Sequence, residues 1–185
     1  MTRFVYLTST TLNGHLADER DSLDWLFAVD PAGTEQPQAE FMEGVGVLVQ
    51  GSTTYEWVLR EAKLLENAAD WSQHYGERPS YVFTSRQLPA PEGADVRFRS
   101  GDVAPLIEEL REAAAGKDVW IMGGGDLAGQ FFDAGALDRL ELSFAPATVA
   151  AGRPLLPRSI AASSLRLVSV EQRGQFAHLV YDVVR

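Results

Sequence analysis

Three consecutive glycines, Gly123, Gly124 and Gly125, stand between an apolar run, Val119 to Met122, and an amphipathic stretch that opens at Asp126 and Leu127. Glycine takes up backbone dihedrals barred to other residues and lets a ligand come close to the main chain. A helix that starts after such a turn aims its first N–H groups and the positive end of its dipole at the same point. The chemistry this favours is capture of a phosphate by main-chain donors. The spacing is not Gly-x-Gly-x-x-Gly, because Asp126 and Leu127 come before Ala128 and Gly129. The turn therefore differs from the fingerprint of a doubly wound dinucleotide fold. The plainer reading is a tight strand-to-helix connection that holds nothing.

Two other clusters occupy equivalent places. Gly51-Ser52-Thr53-Thr54 follows the apolar run Val45 to Gln50, and Thr84-Ser85-Arg86 follows Tyr81-Val82-Phe83. Hydroxyls and free N–H groups at a helix start suit a phosphate, although simple N-capping also accounts for serine and threonine there. Arg86 has the fork to bind a phosphate through two parallel hydrogen bonds, or it is an ordinary solvated arginine. Three strands that each end in glycine or small polar residues weigh toward a ligand, since open α/β sheets bind ligands beyond the carboxyl ends of their strands.

Other chemistries are closed off. The chain has 185 residues with 16 basic and 26 acidic side chains, a formal charge of −10. That balance argues against a general nucleic-acid binder, which needs a basic footprint. It has no cysteine, hence no disulfide framework or thiolate metal site. Its three histidines, His15, His74 and His178, lie far apart with no metal-binding spacing. No apolar run reaches about 18 residues, so no spanning helix is expected. The first residues, MTRFVYLTST, lack a secretion signal. A cytoplasmic protein of one domain, residues 1–185, is the expectation.

The elements that must position the three clusters follow from periodicity. Phe4 to Ser9 reads as a strand, Asn13-Gly14 as a turn, and ADERDSLDWLF as an acidic loop. A short helix is expected near Gln38 to Glu43, a strand covered on both faces at Val45 to Gln50, and a helix from Thr53 to Arg60. The polar stretch from Lys63 to Pro79 gives no clear pattern. Tyr81 to Thr84 reads as a strand. Val103, Leu106, Ile107, Leu110 and Ala114 share one face of a helix spanning Val103 to Ala115, which Gly116 ends. Lys117 to Met122 is a strand and Asp126 to Ala134 a helix. Arg139 to Ala145 and Leu165 to Val170 alternate polar and apolar residues, and Phe176 to Val184 follows a turn at Gly174, which predicts a terminal antiparallel hairpin. Strand–helix alternation followed by a hairpin predicts an α/β fold, one mixed sheet with helices on both faces.

Taken in order, YLTSTTLNGHLAD (6–18), SLDWL (22–26), VLVQGSTTYEW (47–57), VFTSR (82–86), VWIMGGGDLAGQFF (119–132) and PLLP (154–157) cover nearly the whole chain. In this order they resemble the dihydrofolate reductase superfamily. The nearer likeness is to the reductase domain of bifunctional riboflavin-biosynthesis deaminase-reductases and its stand-alone bacterial relatives. The resemblance implies a three-layer fold with a central mixed sheet of about eight strands, NADPH as hydride donor (NADH not excluded), and a cis bond at Gly123-Gly124. By motif, Gly51, Ser52, Thr53, Thr54, Thr84, Ser85 and Arg86 would hold the adenine-side phosphates. Met122, Gly123, Gly124, Gly125, Asp126 and Leu127 would cradle the pyrophosphate, and Leu16 and Ala17 would approach the nicotinamide. A small-molecule substrate would lie near Thr10, Asn13, Trp25, Tyr55 and Ser143. Relatives commonly pair as homodimers through late strands.

The chain departs from the family in two places. Ser52 stands where a basic residue suited to the 2′-phosphate is usual, which leaves that role to Arg86 or Arg60. Asn13 replaces the usual aspartate; its amide can orient a substrate but cannot donate a proton. Glu40 is the other candidate for a catalytic group, from the region where folate reductases carry an acid. Trp25, Phe27 and Trp57 could form a stacking wall for a flat heterocycle, or pack in the core. The expected activity is hydride transfer to a CH–OH/C=O or C=N group of a small heterocycle, similar to the 5-amino-6-(5-phosphoribosylamino)uracil reductase of riboflavin biosynthesis. Dihydrofolate reduction, or nucleotide binding without turnover on the same fold, are the alternatives.

Overall fold

The computed structural model describes every residue, 1–185. In its first half the chain forms β1 (Phe4–Thr11), β2 (His15–Asp18), α1 (Asp24–Phe27), α2 (Glu35–Gly44), β3 (Val45–Gly51), α3 (Ser52–Glu61), α4 (Ala69–Tyr75), β4 (Ser80–Phe83) and β5 (Val96–Arg99). The second half forms α5 (Ile107–Ala113), β6 (Asp118–Gly123), α6 (Gly125–Asp133), β7 (Leu137–Ala145), β8 (Gly152–Pro154), β9 (Leu165–Arg173) and β10 (Phe176–Val183). Eight strands make one sheet in the order β5-β4-β3-β6-β1-β7-β10-β9, and β2 pairs with β8 as a separate antiparallel pair. All neighbours from β5 to β7 run parallel, while β10 is antiparallel to both β7 and β9. No helix is long and apolar enough to cross a membrane.

The two layers of helices follow from the two-residue period of the strands. Val47 and Val49 of β3, Tyr81 of β4, and Val119 and Ile121 of β6 pack on one face with Leu110 of α5 and Leu127, Ala128 and Phe131 of α6. The residues between them point the other way. Val82 joins Tyr55, Val58 and Leu59 of α3 and Trp71 of α4. Leu48 and Trp120 pack with Phe41 and Met42 of α2. Each fully buried large side chain contributes about 1.5–3 kcal/mol, so the mid-sheet alternation is the main source of register.

Several elements differ from the sequence reading. The helix expected over Val103–Ala115 is split: Pro105 lies in a 3-10 turn, Ala104–Leu106, and the α-helix runs only from Ile107 to Ala113. Proline lacks an N–H and is tolerated only in a first turn. The polar stretch before Pro79 contains α4, whose one buried anchor is Trp71. The acidic loop contains α1, and α2 begins at Glu35, three residues before the expected start. Strands β2, β5 and β8 are additions, each four residues or fewer.

On β7, Glu141 and Ser143 alternate with the core residues Leu140 and Leu142, so they face away from α5 and α6. Ser143 Oγ lies 2.9 Å from Nδ1 of His178 on β10, while His178 Nε2 is buried without a partner, 3.9 Å from Glu141 Oε2. Burial, reinforced by Arg173 and opposed by Glu171 on β9, lowers the His178 pKa to about 4. A depressed histidine contributes stability that is present above the unfolded value of about 6.5 and is lost as pH falls toward 4. Glu141, raised by burial, works in the opposite sense by taking up a proton in the fold. Urea midpoints across pH 7 to 4 should therefore fall less steeply for His178→Asn than for the natural chain; parallel curves would refute this account.

Candidate functional site

The parallel strands β4, β3, β6 and β1 end on one edge of the sheet, and the three sequence clusters stand at the ends of β3, β4 and β6. Helices α3 and α6 start there. Their N-cap residues are Gly51 and Gly124, and neither helix start has a side-chain cap. Two sets of first-turn N–H groups are thus left unsatisfied by the protein and open to an external acceptor. Gly123 has φ +141°, a conformation that favours glycine, and its peptide bond to Gly124 is cis. A Cβ on Gly124 would meet nothing within 4 Å. Half-buried Gly124 has room beside its main chain, a cradle that fits phosphate oxygens.

Gly125 has a different constraint. A Cβ there would lie 2.5 Å from Pro154 O and 2.7 Å from Leu155 C, and closer still to Leu155 O. The segment Pro154–Pro157 passes over the start of α6 as a strap, fixed by Leu155 N–H to Gly14 O (2.9 Å) and by Tyr6 Oη donating to Leu155 O (2.9 Å). Two glycines of the turn serve the open edge; the third admits the strap.

A cleft of about 1350 Å³ runs along this edge, larger than the roughly 300–1,000 Å³ that holds one small ligand. Its wall includes Leu16, Ala17, Gly51, Ser52, Thr53, Thr54, Thr84, Ser85, Arg86, Met122, Gly123, Gly124, Gly125, Asp126 and Leu127. The structure thus gathers all fifteen residues expected around a cofactor. The β2–β8 pair carries Leu16 and Ala17 into the wall, with Arg153 and Pro154 alongside.

The residues expected around a substrate are placed elsewhere. Thr10 is buried and donates to His15 O (3.1 Å). Asn13 donates to Val149 O (2.7 Å) and accepts from Thr11 Oγ1 (2.8 Å). Tyr55 is a core residue whose hydroxyl donates to Pro89 O (2.7 Å), and burial raises its pKa to about 12. Ser143 is held by His178. Trp25 is half-buried with an unpartnered Nε1, and Glu40 accepts from Gln36 on exposed α2. None of the six lines the cleft.

The wall beyond the glycine turn consists instead of Leu7 and Ser9 of β1, Trp120 and Met122 of β6, Leu23, Leu26, Phe27 and Trp57. Phe27, 64% exposed, stacks on Trp57 with centroids 6.0 Å apart and planes 12° from parallel. The sequence offered Phe27 and Trp57 as a wall; Leu7, Ser9 and Trp120 were missed. Their signal was the two-residue period, which puts Leu7, Ser9 and Trp120 on the face opposite Tyr6 and Ile121.

Every carboxylate of the cleft wall has an arginine partner. Asp21 accepts from Arg153 (2.5 Å), Asp126 from Gln130 (2.9 Å) and Arg158 (3.1 Å), and Glu56 from Arg86 (3.0 Å for Nη1). The Arg153 hydrogen bond holds Asp21 below the usual carboxylate range, and Gln130 followed by Arg158 does the same for Asp126. Asp21 and Asp126 are thus anions at neutral pH and do not supply protons.

The fold and cleft define an α/β protein of the dihydrofolate reductase type. Residues 4–179 match the sequence profile of the RibD C-terminal domain, and the chain belongs to that family. It is 27% identical to the uncharacterized protein YwjB of Bacillus subtilis strain 168 over 96% of this chain and 95% of that one. Among solved structures it is similar to a Shewanella sp. PV-4 protein named for riboflavin biosynthesis, with TM-score 0.78, 24% identity and full coverage of both chains. Dihydrofolate reductase of Enterococcus faecalis, solved with NADP(H), superposes with TM-score 0.59 at 17% identity over 99% of this chain and 97% of that one.

Proposed function

We propose that the protein is a single-domain NADPH-dependent reductase that passes a hydride to a small heterocyclic substrate of the riboflavin-precursor kind. One observation carries the reading: two glycine-capped helices with unsatisfied N-termini converge on one end of a cleft whose other end is aromatic. Pyrophosphate oxygens fit the N–H groups of Gly124 to Leu127 and of Ser52 to Thr54, because main-chain donors bind anions without a surplus of cationic side chains. The nicotinamide, which supplies the hydride, fits between Leu16, Ala17 and the Trp120–Met122 end of β6. A flat ring fits against Leu7, Trp120 and the Phe27–Trp57 pair, where stacking and exclusion of water position it for transfer. With each cleft carboxylate ion-paired, the proton that follows the hydride comes from solvent at the open mouth. Neither Asn13 nor Glu40 has a part in it.

Those ion pairs also favour a second reading, nucleotide binding without turnover. Titration of NADPH fluorescence, then assay with the riboflavin-pathway ribosylamino-pyrimidine and with dihydrofolate, separates the readings. Binding plus oxidation of NADPH by the pyrimidine supports the first, and binding alone the second. No binding would sink both. We further propose a homodimer through β9, an edge strand that leaves Leu167, Val168 and Val170 about half exposed or more (51%, 48% and 62%). Light scattering on the eluting protein tests it.

A further inference from the structure

Each arginine on the cleft wall is matched by a carboxylate: Arg20 with Asp18 (3.9 Å), Arg60 with Glu61 (3.2 Å), Arg153 with Asp21 (2.5 Å) and Arg86 with Glu56. No surplus cation faces the cleft from these pairs. The Arg86–Glu56 pair is distinct in place and form. It ties the end of β4 to the second turn of α3, so it lies between two of the three strand-end clusters, and both partners line the cleft. Both guanidinium amino groups engage the carboxylate, Nη1 to Oε1 at 3.0 Å and Nη2 to Oε2. Arg86 is also steadied through its own N–H, which donates to Thr84 Oγ1 at 3.0 Å.

We infer that Glu56 sets the choice between nucleotides with and without a 2′-phosphate, by occupying the guanidinium fork that such a phosphate would use. This rests on the proposed dinucleotide site. The two parallel donors that suit a carboxylate are the same two that suit a phosphate. With Glu56 in place, a dianionic phosphate must displace one carboxylate and then sit beside it. The pair is exposed (side chains 53% and 37%), so water screens it and it can open, but the like charge stays within a few ångströms. Ser52, at the start of α3, supplies no compensating cation. A free 2′-hydroxyl meets no such repulsion and can donate to the carboxylate, the arrangement by which acidic residues bind an unphosphorylated ribose. Glu56 therefore narrows the preference for NADPH over NADH that Arg86 alone would give.

The test is fluorescence titration of the intact protein with NADH and with NADPH, for the natural chain, Glu56→Gln, Arg86→Gln and the double variant. Expected is an NADPH affinity about tenfold higher in Glu56→Gln, with NADH unchanged or weaker, and loss of that gain when Arg86 is also replaced. Both side chains are partly exposed, and thermal midpoints verify folding. An unchanged NADPH-to-NADH ratio in Glu56→Gln, or a gain that survives removal of Arg86, overturns the role of Glu56 and leaves the dinucleotide site standing. A merely structural ion pair would move the thermal midpoint and both nucleotides together, leaving their ratio fixed, which also overturns it. Failure of every variant to bind either nucleotide removes the parent site and this inference with it.

Discussion

Gly125→Ala is expected to lower the unfolding free energy by about 3 kcal/mol, the upper end of what one extra methyl costs in a packed site, and to weaken dinucleotide binding with it. The added carbon would lie 2.5 Å from Pro154 O and 2.7 Å from Leu155 C, both backbone atoms. A flexible side chain could swing aside; this strap is fixed. Leu155 is bonded to Gly14 and to the Tyr6 hydroxyl, and Arg158 just beyond it is bonded to Asp126 and Asp133 of α6. The clash is relieved only by moving the start of α6, and with it the N–H groups that face the cleft. Gly44→Ala is the control, since a Cβ there meets nothing within 4 Å and its φ is ordinary. Urea unfolding of both variants checks the difference. A Gly125→Ala midpoint equal to that of the natural chain would show that the strap yields.

Ser52→Asp should separate binding from folding. Residue 52 opens α3, where a carboxylate interacts favourably with the helix dipole and adds about 0.3–1 kcal/mol. The same carboxylate would stand at the cleft wall, where the proposal puts phosphate oxygens. Expected is a thermal midpoint held or slightly raised, together with about a hundredfold loss of NADPH affinity by fluorescence titration. Undiminished affinity would mean that the α3 start does not meet a phosphate. Together the substitutions probe the cradle from both sides, one by moving its backbone and one by changing its charge.

How much of this was legible in the sequence depended on the range of the forces involved. The cofactor-side wall could be read because each cluster is local. Gly51–Thr54 and Met122–Leu127 each combine a strand end, a turn and a helix start, and Thr84–Arg86 a strand end and a bend, all within a few neighbouring residues where composition and dihedral preference decide the outcome. The other wall could not. Helical spacing puts Tyr55 on one face with Val58 and Leu59, but that its ring is enclosed by Trp71 and Phe98, residues distant in sequence, and so kept from the cleft is not local information. Ser143 faces His178 because of the pairing of β7 with β10, a register fixed by the whole sheet. Strand β5 was missed although Val96-Arg97-Phe98-Arg99 alternates. In the fold Arg99 pairs with Glu109 at 2.6 Å, and both arginines lie over the Tyr81 ring. Glu56 illustrates the same point: nothing local pairs it with Arg86, thirty residues on.

The place of β1 in the sheet has a consequence for the life of the chain on the ribosome. Phe4, Val5 and Tyr6 are 1% exposed or less, yet the strands that cover their edges are β6, from Asp118, and β7, from Leu137. On the order of a hundred further residues must be synthesised before either partner exists, which at roughly 5–20 residues per second is on the order of ten seconds. Throughout that interval an apolar, β-prone segment has no native edge to join, and such long-range pairing also slows folding after release. The segment FVYL is thus left without its native partners while most of the chain is made, for a reason that lies in the order of the strands and not in the strength of any contact.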